Sequence, residues 1–331
     1  MAFARPPAAD DPDWPRASRW LSDDVERAGL RVIGVPCSIG SISPSEAFRT
    51  PAAVRDALQR LSTWDGIGQR DLRDLPAQDL GDWPVANLDL PEAIAAIRAG
   101  ASGMREVTSP TVFLGGDNAI TRPLVAGLLG DDLTAVGVLT FDAHHDVRSL
   151  GDGPGNGTPI RGLIEEEGLP GRNVAQVGIA SFANAPAHAA WAAEAGIHVE
   201  PIDAVHRDGV GGAVERAFDH LGHCDRLFVD FDIDVLDVAY APACPGARPG
   251  GMTPPQLLAA ARLCGRHDRV AAADLVEVDA ATDPTGATTL VVAEVLLHFA
   301  AGVLQRRGKK DITSNPPDRQ RRPLPPSGEA T

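Results

Sequence analysis

Two short segments of the sequence place several carboxylates and imidazoles close together. They read Asp142-Ala-His144-His145-Asp146 and Asp230-Phe-Asp232-Ile-Asp234-Val-Leu-Asp237. Residues i and i+2 of an extended chain share one face, so Asp142 and His144 can aim two ligands at one point. Asp232 and Asp234 can do the same, and a turn can bring Asp146 back to that point. The pattern is typical of a metal site.

A cluster of four carboxylates needs positive charge, because the carboxylates otherwise repel each other. A pair of divalent metal ions is a simpler solution than a set of arginines. Oxygen-rich ligation with one imidazole suits manganese, or alternatively iron, nickel or zinc. Two such ions lower the pKa of water and provide a nucleophile for an electrophilic carbon at neutral pH. One Asp-x-Asp is weak evidence, but the two segments together favour a binuclear metal site.

The other acids and histidines are expected to have supporting roles. Asp230 and Asp237 should support or cap their segment, and His145 should pack, because it points away from the face of His144. The seven histidines outside these segments are expected to lie at the surface or to be satisfied by packing.

The elements that must position these residues alternate along the chain. Short apolar runs predict strands at residues 31–36, 111–114, 136–141, 174–179, 197–199, 226–229 and 270–278. Longer stretches predict helices at residues 51–62, 91–104, 185–195, 211–221, 254–263 and 288–304. This alternation indicates a parallel sheet covered by helices on both faces. Ligands of such sheets bind beyond the carboxyl ends of the strands, where both acidic segments stand.

A single doubly wound α/β domain is predicted for residues 31–304. Residues 1–30 are expected to form an irregular N-terminal arm, and residues 305–331 a disordered basic tail. No apolar run approaches the roughly eighteen residues of a membrane span, and no apolar leader begins the chain. A cytoplasmic location is therefore expected.

The charge balance excludes several classes of function. Asp and Glu number 45 against 30 Lys and Arg, a formal net charge of −15, so nucleic acid and membrane surfaces are unexpected partners. The only lysines, Lys309 and Lys310, lie in the tail, which excludes a Schiff-base lysine and a P-loop from the body. The four cysteines are widely spaced and are expected to be reduced and buried.

The motifs resemble those of the ureohydrolase family, which includes arginases, agmatinases and formimidoylglutamases. Its signatures GGDHS, DAHxD, SxDxDxxDP and DLVExxP correspond in order to residues 115–119, 142–146, 230–238 and 274–279. The resemblance covers residues 31–304. It implies a three-layer α/β/α domain with a mainly parallel, eight-stranded sheet, two Mn²⁺ ions per subunit, and a homo-oligomer, either a trimer or a hexamer.

The resemblance also implies roles for the five candidate ligands. Asp142 and Asp232 would bridge the two metal ions, and His144 with Asp234 would complete one site. Asp146 would bind the other ion and then donate a proton to the leaving amine.

Two further positions receive roles from the resemblance. Asn118 stands where the family usually has a histidine ligand, so it is expected to bind metal through its amide oxygen and to weaken the first site. Glu277 is expected to hydrogen-bond the amidine nitrogens of the substrate and to act in catalysis.

A departure from the family pattern narrows the expected substrate. Residues 156–159 read Asn-Gly-Thr-Pro where arginases and agmatinases carry a histidine in an HGxP loop, which argues against an arginase. Residues 41–45, 176–184 and 247–251 look most like bacterial formimidoylglutamases. The expected substrate is thus a small amidine, N-formimidoyl-L-glutamate, hydrolysed to L-glutamate and formamide in histidine degradation.

A substrate with two carboxylates needs cations or hydrogen-bond donors in an acidic body. Arg148 is the expected cation, although it could instead balance the nearby acids, and Asn156, Asn184 and Ser181 are expected to add hydrogen bonds. Two alternatives stay open. One is a guanidino-acid or agmatine hydrolase that releases urea, and the other is a catalytically silent binding or scaffold protein, because of Asn118.

Overall fold

The computed structural model describes residues 11 and 13–314 and is built on one large sheet. Its strands are β1 (Leu21–Ser22), β2 (Leu30–Gly34), β3 (Trp64–Asp65), β4 (Arg70–Asp71), β5 (Ala77–Asp82), β6 (Thr111–Leu114), β7 (Val136–Phe141), β8 (Val174–Ile179), β9 (His198–Pro201), β10 (Arg226–Asp232) and β11 (Val270–Val276). Nine of them form a sheet in the order β1-β5-β2-β6-β11-β10-β7-β8-β9, in which all neighbours are parallel. Strands β3 and β4 form a separate antiparallel pair.

Helices cover both faces of this sheet. They are α1 (Thr50–Ala57), α2 (Leu90–Ser102), α3 (Thr121–Leu129), α4 (Pro159–Glu165), α5 (Pro186–Ala195), α6 (Ile202–Asp208), α7 (Val210–His220), α8 (Pro254–Arg266) and α9 (Ala287–Ser314). Two of these helices begin at capping residues that the sequence provides. In α2 the Asp89 carboxylate accepts a hydrogen bond from the Glu92 N–H at 2.9 Å, and in α8 the Thr253 N–H donates to Gln256 Oε1 at 2.8 Å.

Two apolar cores separate the three layers. One contains Phe141 and Phe231 and lies under α1, α7, α8 and α9, whereas the other contains Phe113 and Phe228 and lies under α2 and α3. Strands β6, β7 and β8 are buried along their whole length. The predicted α/β/α class with a parallel sheet is therefore confirmed.

The sheet has nine strands among the described residues rather than the expected eight. The prediction missed β1 and β5, because β1 has two residues and β5 reads Ala-Gln-Asp-Leu-Gly-Asp, which lacks an apolar run. Strand β5 exists because it pairs with β2. The sequence prediction also missed helices α3, α4 and α6. Helix α3 is buried on almost every side, so it has no polar face to reveal its period.

Both ends of the predicted domain differ from the expectation. Within the arm, Trp20 is buried and its Nε1 donates to Leu75 O at 2.7 Å, so this part of the arm packs on the domain. Helix α9 continues to Ser314, past the predicted start of the tail at residue 305. Residues 1–10, 12 and 315–331 of the predicted arm and tail lie outside the described residues.

Helix α9 also corrects the expectation about apolar runs. Its segment Ala287–Arg306 is long and apolar enough for a membrane span by length and composition, but 67% of the apolar window is buried in the protein. The helix packs against α8 and α1. Burial of this kind is typical of a core helix.

The aromatic pair between β7 and β10 should be central to stability. Phe141 and Phe231 are fully buried and stacked, with ring centroids 5.0 Å apart, and each directly precedes a predicted metal ligand. Replacing Phe231 with Ala should lower the free energy of unfolding by about 3–5 kcal/mol, because it leaves a cavity.

Urea denaturation measures this loss, with Phe182→Ala as the matched control. Phe182 is 104% exposed, so its truncation should leave the unfolding curve almost unchanged. A loss below about 1 kcal/mol for Phe231→Ala would contradict the importance of the stack.

Candidate metal centre and active site

The two acidic segments meet because β7 and β10 are adjacent parallel strands. Phe141 lies opposite Phe231 in their register, so the chain leaves both strands at the same level. The next residues, Asp142 and Asp232, therefore stand side by side at the carboxyl edge of the sheet. This edge is where the sequence placed the site.

The structure brings all five predicted acidic and imidazole ligands together. One group consists of Asp142, His144 and Asp234, and the other of Asp142, Asp146 and Asp232; within each group the ligand atoms lie within 4.8 Å of one another. Because Asp142 belongs to both groups, the arrangement fits a binuclear site with a shared carboxylate. Asp232 belongs to one group, and its predicted bridging role stays a prediction.

The backbone fixes these carboxylates. The N–H of Asp234 donates to Asp232 Oδ1 at 2.8 Å, and the N–H of Ala143 donates to Asp234 Oδ1 at 2.9 Å. A Cβ atom at Gly246 would lie 2.2 Å from Asp234 Oδ2, so only glycine lets that loop pack against the carboxylate. The side chains are thus held in place by backbone contacts.

The electrostatics of the cluster show that it needs cations. Burial and the charge of Asp234 raise the pKa of Asp142 to about 7, and burial with neighbouring carboxylates raises the pKa values of Asp146 and Asp232 well above the usual range. Burial opposes charge on His144, but hydrogen bonds to Asp142 and Asp234 raise its pKa to about 11. Without metal ions, bound protons supply the positive charge that divalent ions would otherwise bring to the cluster. The donor set of carboxylates and one imidazole therefore fits such ions.

Asn118 lies beside the cluster but presents a donor to it. Its Nδ2 donates to Asp146 Oδ2 at 2.7 Å and lies 3.4 Å from Asp232 Oδ2, whereas its Oδ1 lies 2.5 Å from the Thr121 hydroxyl. The expectation that Asn118 offers its amide oxygen to a metal therefore does not match this arrangement. Ligation through oxygen would require rotation of the amide and loss of the contact with Thr121.

Sequence reasoning missed a buried network behind Asn118. The Thr121 hydroxyl also lies 2.7 Å from Asp274 Oδ2, and Asp274 pairs directly with Asp230 across β11 and β10. Both carboxyls are fully buried, and burial raises their pKa values, to about 7 for Asp274. The signal was present in the sequence, since Asp230 stands where the family signature has serine.

Glu277 and Asn156 form a connected pair at the site. Glu277 follows β11 with a φ of 66°, and its Oε1 accepts hydrogen bonds from Asn118 N at 2.8 Å and Asn156 Nδ2 at 3.0 Å. The Asn156 Oδ1 accepts from Ile42 N at 3.2 Å. Burial raises the pKa of Glu277, although these hydrogen bonds oppose the shift. Asn156 thus orients Glu277 through its amide nitrogen.

A cavity of about 320 Å³ opens above these residues. Predicted residues that line it are His144, Asp146, Arg148, Asn156, Asn184, Asp232, Asp234 and Glu277. Arg148 is exposed and, among the described residues, its guanidinium makes no hydrogen bond or ion pair. It is therefore free to contact an anion in the cavity.

Two of the predicted substrate-binding residues are placed differently. Ser181 is exposed and does not line the cavity. Asn184 lines the cavity, but its Oδ1 accepts from His145 N at 2.9 Å and its Nδ2 donates to Ala143 O at 3.0 Å. Both amide atoms therefore brace the segment that carries the metal ligands. Sequence reasoning also missed His188 and Arg248, which line the cavity.

The predicted supporting roles agree with the structure. His145 is buried, and its Nδ1 lies 2.7 Å from Gln176 Oε1. Asp237 caps its own loop, because its carboxylate accepts from Ala239 N at 2.8 Å and Gly250 N at 2.7 Å.

The family model of the arginase family matches residues 28–302. The chain belongs to the arginase family. A family member from Halalkalibacterium halodurans, a formimidoylglutamase, is 35% identical over 278 residues, which cover 83% of this chain and 87% of that protein.

Solved structures extend this similarity to the fold. The crystal structure of Bacillus subtilis formimidoylglutamase matches with a TM-score of 0.84 at 32% identity and covers 91% of this chain and 96% of that one. An asparagine-to-histidine variant of Trypanosoma cruzi formiminoglutamase with Mn²⁺ matches with a TM-score of 0.82 at 26% identity, over 89% of this chain and 99% of that one.

The cluster predicts that manganese binding by this arginase-family chain depends strongly on pH. Protonated Asp142, with a pKa of about 7, and protonated His144, with a pKa of about 11, cannot ligate a metal, so binding must release protons. Affinity should therefore rise roughly tenfold per pH unit for each proton released, with Asp142 and His144 both contributing below about pH 7 and His144 alone above it.

Isothermal titration calorimetry in two buffers of different ionisation enthalpy counts these protons. Asp237→Asn is the control, because this capping residue lies outside the cluster and should leave the pH dependence unchanged. An affinity that does not change with pH would refute the linkage.

Proposed function

We propose that the chain hydrolyses N-formimidoyl-L-glutamate to L-glutamate and formamide, a step of histidine degradation. Two overlapping ligand groups beside Glu277 carry the proposal, together with Arg148 of the same cavity, which pairs with no carboxylate of the described residues. The similarity to formimidoylglutamases supports the substrate. The four cysteines are free and buried, as expected, which fits a reducing cytoplasm. A trimer or hexamer stays a prediction.

The five cluster residues would hold two Mn²⁺ ions, the metal present in the Trypanosoma cruzi relative. When bound, these ions would act as Lewis acids and make water nucleophilic at neutral pH. The rest of the chemistry belongs to protein side chains. Hydrolysis breaks the bond between the amidine carbon and the glutamate nitrogen, and that nitrogen needs a proton to leave.

Glu277 is proposed to bind the amidine. Its Oε1 is held by two hydrogen bonds, whereas Oε2 accepts none from the described residues. Oε2 is thus available to accept a hydrogen bond from an amidine N–H and to orient the amidine carbon.

Asp146 is proposed to donate the proton to the departing nitrogen. Its carboxylate belongs to a group that would hold a metal ion and also lines the cavity, so it can take up the proton released by the attacking water and pass it to this nitrogen. Its Oδ2 accepts a hydrogen bond from Asn118 Nδ2 at 2.7 Å, which fixes the orientation of the carboxylate. Asp146 also has a φ of 54°, a left-handed backbone conformation that is uncommon for a residue other than glycine.

The product of hydrolysis tests this proposal directly. Purified protein loaded with manganese should release formamide from N-formimidoyl-L-glutamate and no urea from agmatine or guanidino acids. The cationic amine of agmatine would meet Arg148, which favours an anionic substrate. Separation of formamide from urea by chromatography gives the answer. Urea without formamide would support the guanidino-acid alternative instead.

The orientation of Asn118 supports the expectation that one metal site is weak. With the amide nitrogen facing the carboxylates, the group of Asp142, Asp146 and Asp232 lacks a neutral ligand. Replacing Asn118 with His should raise the manganese retained after dialysis towards two ions per chain, because imidazole is a better ligand than an amide.

Metal analysis by inductively coupled plasma spectrometry measures this gain, and Asn87→His, at an exposed position, is the control. Unchanged manganese in Asn118→His would contradict a role for this residue in site strength. Less than about one ion per chain in the unaltered protein, with no amidine hydrolysis, would favour a silent binding or scaffold protein.

A further inference from the structure

Arg248 is a second cation of the cavity. It lies in the loop after β10, is exposed, and lines the cavity together with Arg148. Its Nη1 donates to Gly246 O at 2.8 Å and to Ala247 O at 3.0 Å. No carboxylate of the described residues pairs with it, so its charge is available to a ligand.

The two arginines are anchored on different sides of the site. Arg248 is tied to Gly246, whose backbone packs against the Asp234 carboxylate. Arg148 instead packs on Gly157, where a Cβ atom would lie 2.6 Å from Arg148 Cδ. The residue before Gly157 is Asn156, which binds Glu277. Arg248 is thus anchored on the loop that packs against Asp234, and Arg148 on the loop whose Asn156 contacts Glu277.

A dianionic substrate needs this arrangement. The carboxylates of the cavity repel an incoming anion, and one guanidinium can pair with only one carboxylate in bidentate fashion. N-formimidoyl-L-glutamate carries two carboxylates separated by two methylene groups and the α-carbon. A single arginine would leave the second carboxylate unpaired beside the acids of the site, which costs affinity.

We propose that Arg148 and Arg248 each bind a different carboxylate of the substrate, which makes Arg248 a specificity-determining residue. This inference rests on the proposed function, because it assumes a dicarboxylate amidine. The competing explanation is that Arg248 only balances the acidic cluster. In that case its removal would affect every substrate of the enzyme in the same way.

Measuring the kinetics of each variant with the full and the truncated substrates distinguishes these explanations. The variants are Arg248→Met, Arg248→Lys and Arg148→Met, with Arg207→Met as control, since Arg207 is exposed and paired with Asp208. The substrates are N-formimidoyl-L-glutamate, N-formimidoyl-L-glutamine, which lacks the side-chain charge, and N-formimidoyl-4-aminobutyrate, which lacks the α-carboxylate. Formamide release gives kcat and KM for each pair.

With the full substrate, Arg248→Met should raise KM on the order of 10- to 100-fold with nearly unchanged kcat, because a charged hydrogen bond of binding is lost. Arg248→Lys should restore part of this loss. On one truncated substrate Arg248→Met should behave like the control, because that substrate lacks the carboxylate that Arg248 would bind. Arg148→Met should behave like the control on the other truncated substrate.

Several results would overturn the inference. Equal losses of Arg248→Met on all three substrates would indicate charge balance, and no loss on any would show that Arg248 does not contact substrate. If both arginine variants are insensitive on the same analogue, both arginines bind one carboxylate. Failure of the unaltered enzyme to release formamide from the full substrate would instead refute the proposed function.

Discussion

The structure depends on the repulsion between carboxylates that are buried together at one edge of the sheet. Asp142, Asp146, Asp232 and Asp234 lie within two overlapping groups, and burial raises the pKa values of the first three. Such a cluster is stable only with added protons or cations, and the body contains no lysine. The protein therefore has an acidic site whose negative charge is balanced by protons in the absence of metal ions and whose ligand atoms fit divalent ions.

The surrounding elements hold this unfavourable arrangement in place. The stacked Phe141 and Phe231 fix the level at which both ligand segments leave their strands. Backbone N–H groups then bind individual carboxylate oxygens, and the Asn184 amide braces the loop after β7. Asp146 and Glu277 have positive φ values of 54° and 66°, as do the exposed residues Gln69 and Phe182, so the two residues proposed to act on the substrate share an uncommon backbone conformation.

Substrate selection is expected to use a charge contrast within the same cavity. Acidic residues of its lining would bind metal ions, whereas Arg148 and Arg248, also in the lining, pair with no carboxylate of the described residues. Arginine suits this task because it keeps its charge beside carboxylates and can bind a carboxylate through two donors. The neutral Asn156, in place of the histidine of arginases and agmatinases, connects Glu277 to the loop around Ile42.

The sequence by itself determined the parallel α/β fold and the two ligand segments, because apolar runs, strand period and i, i+2 spacing are local properties. It missed β5 and α3, which exist through pairing and complete burial rather than through a visible pattern. Only the tertiary structure decided how the amide of Asn118 points and that Asn184 braces a loop, since their partners lie far away in sequence. It alone brought Arg248 to the cavity, because that residue lies far along the loop after β10 and belongs to no metal motif.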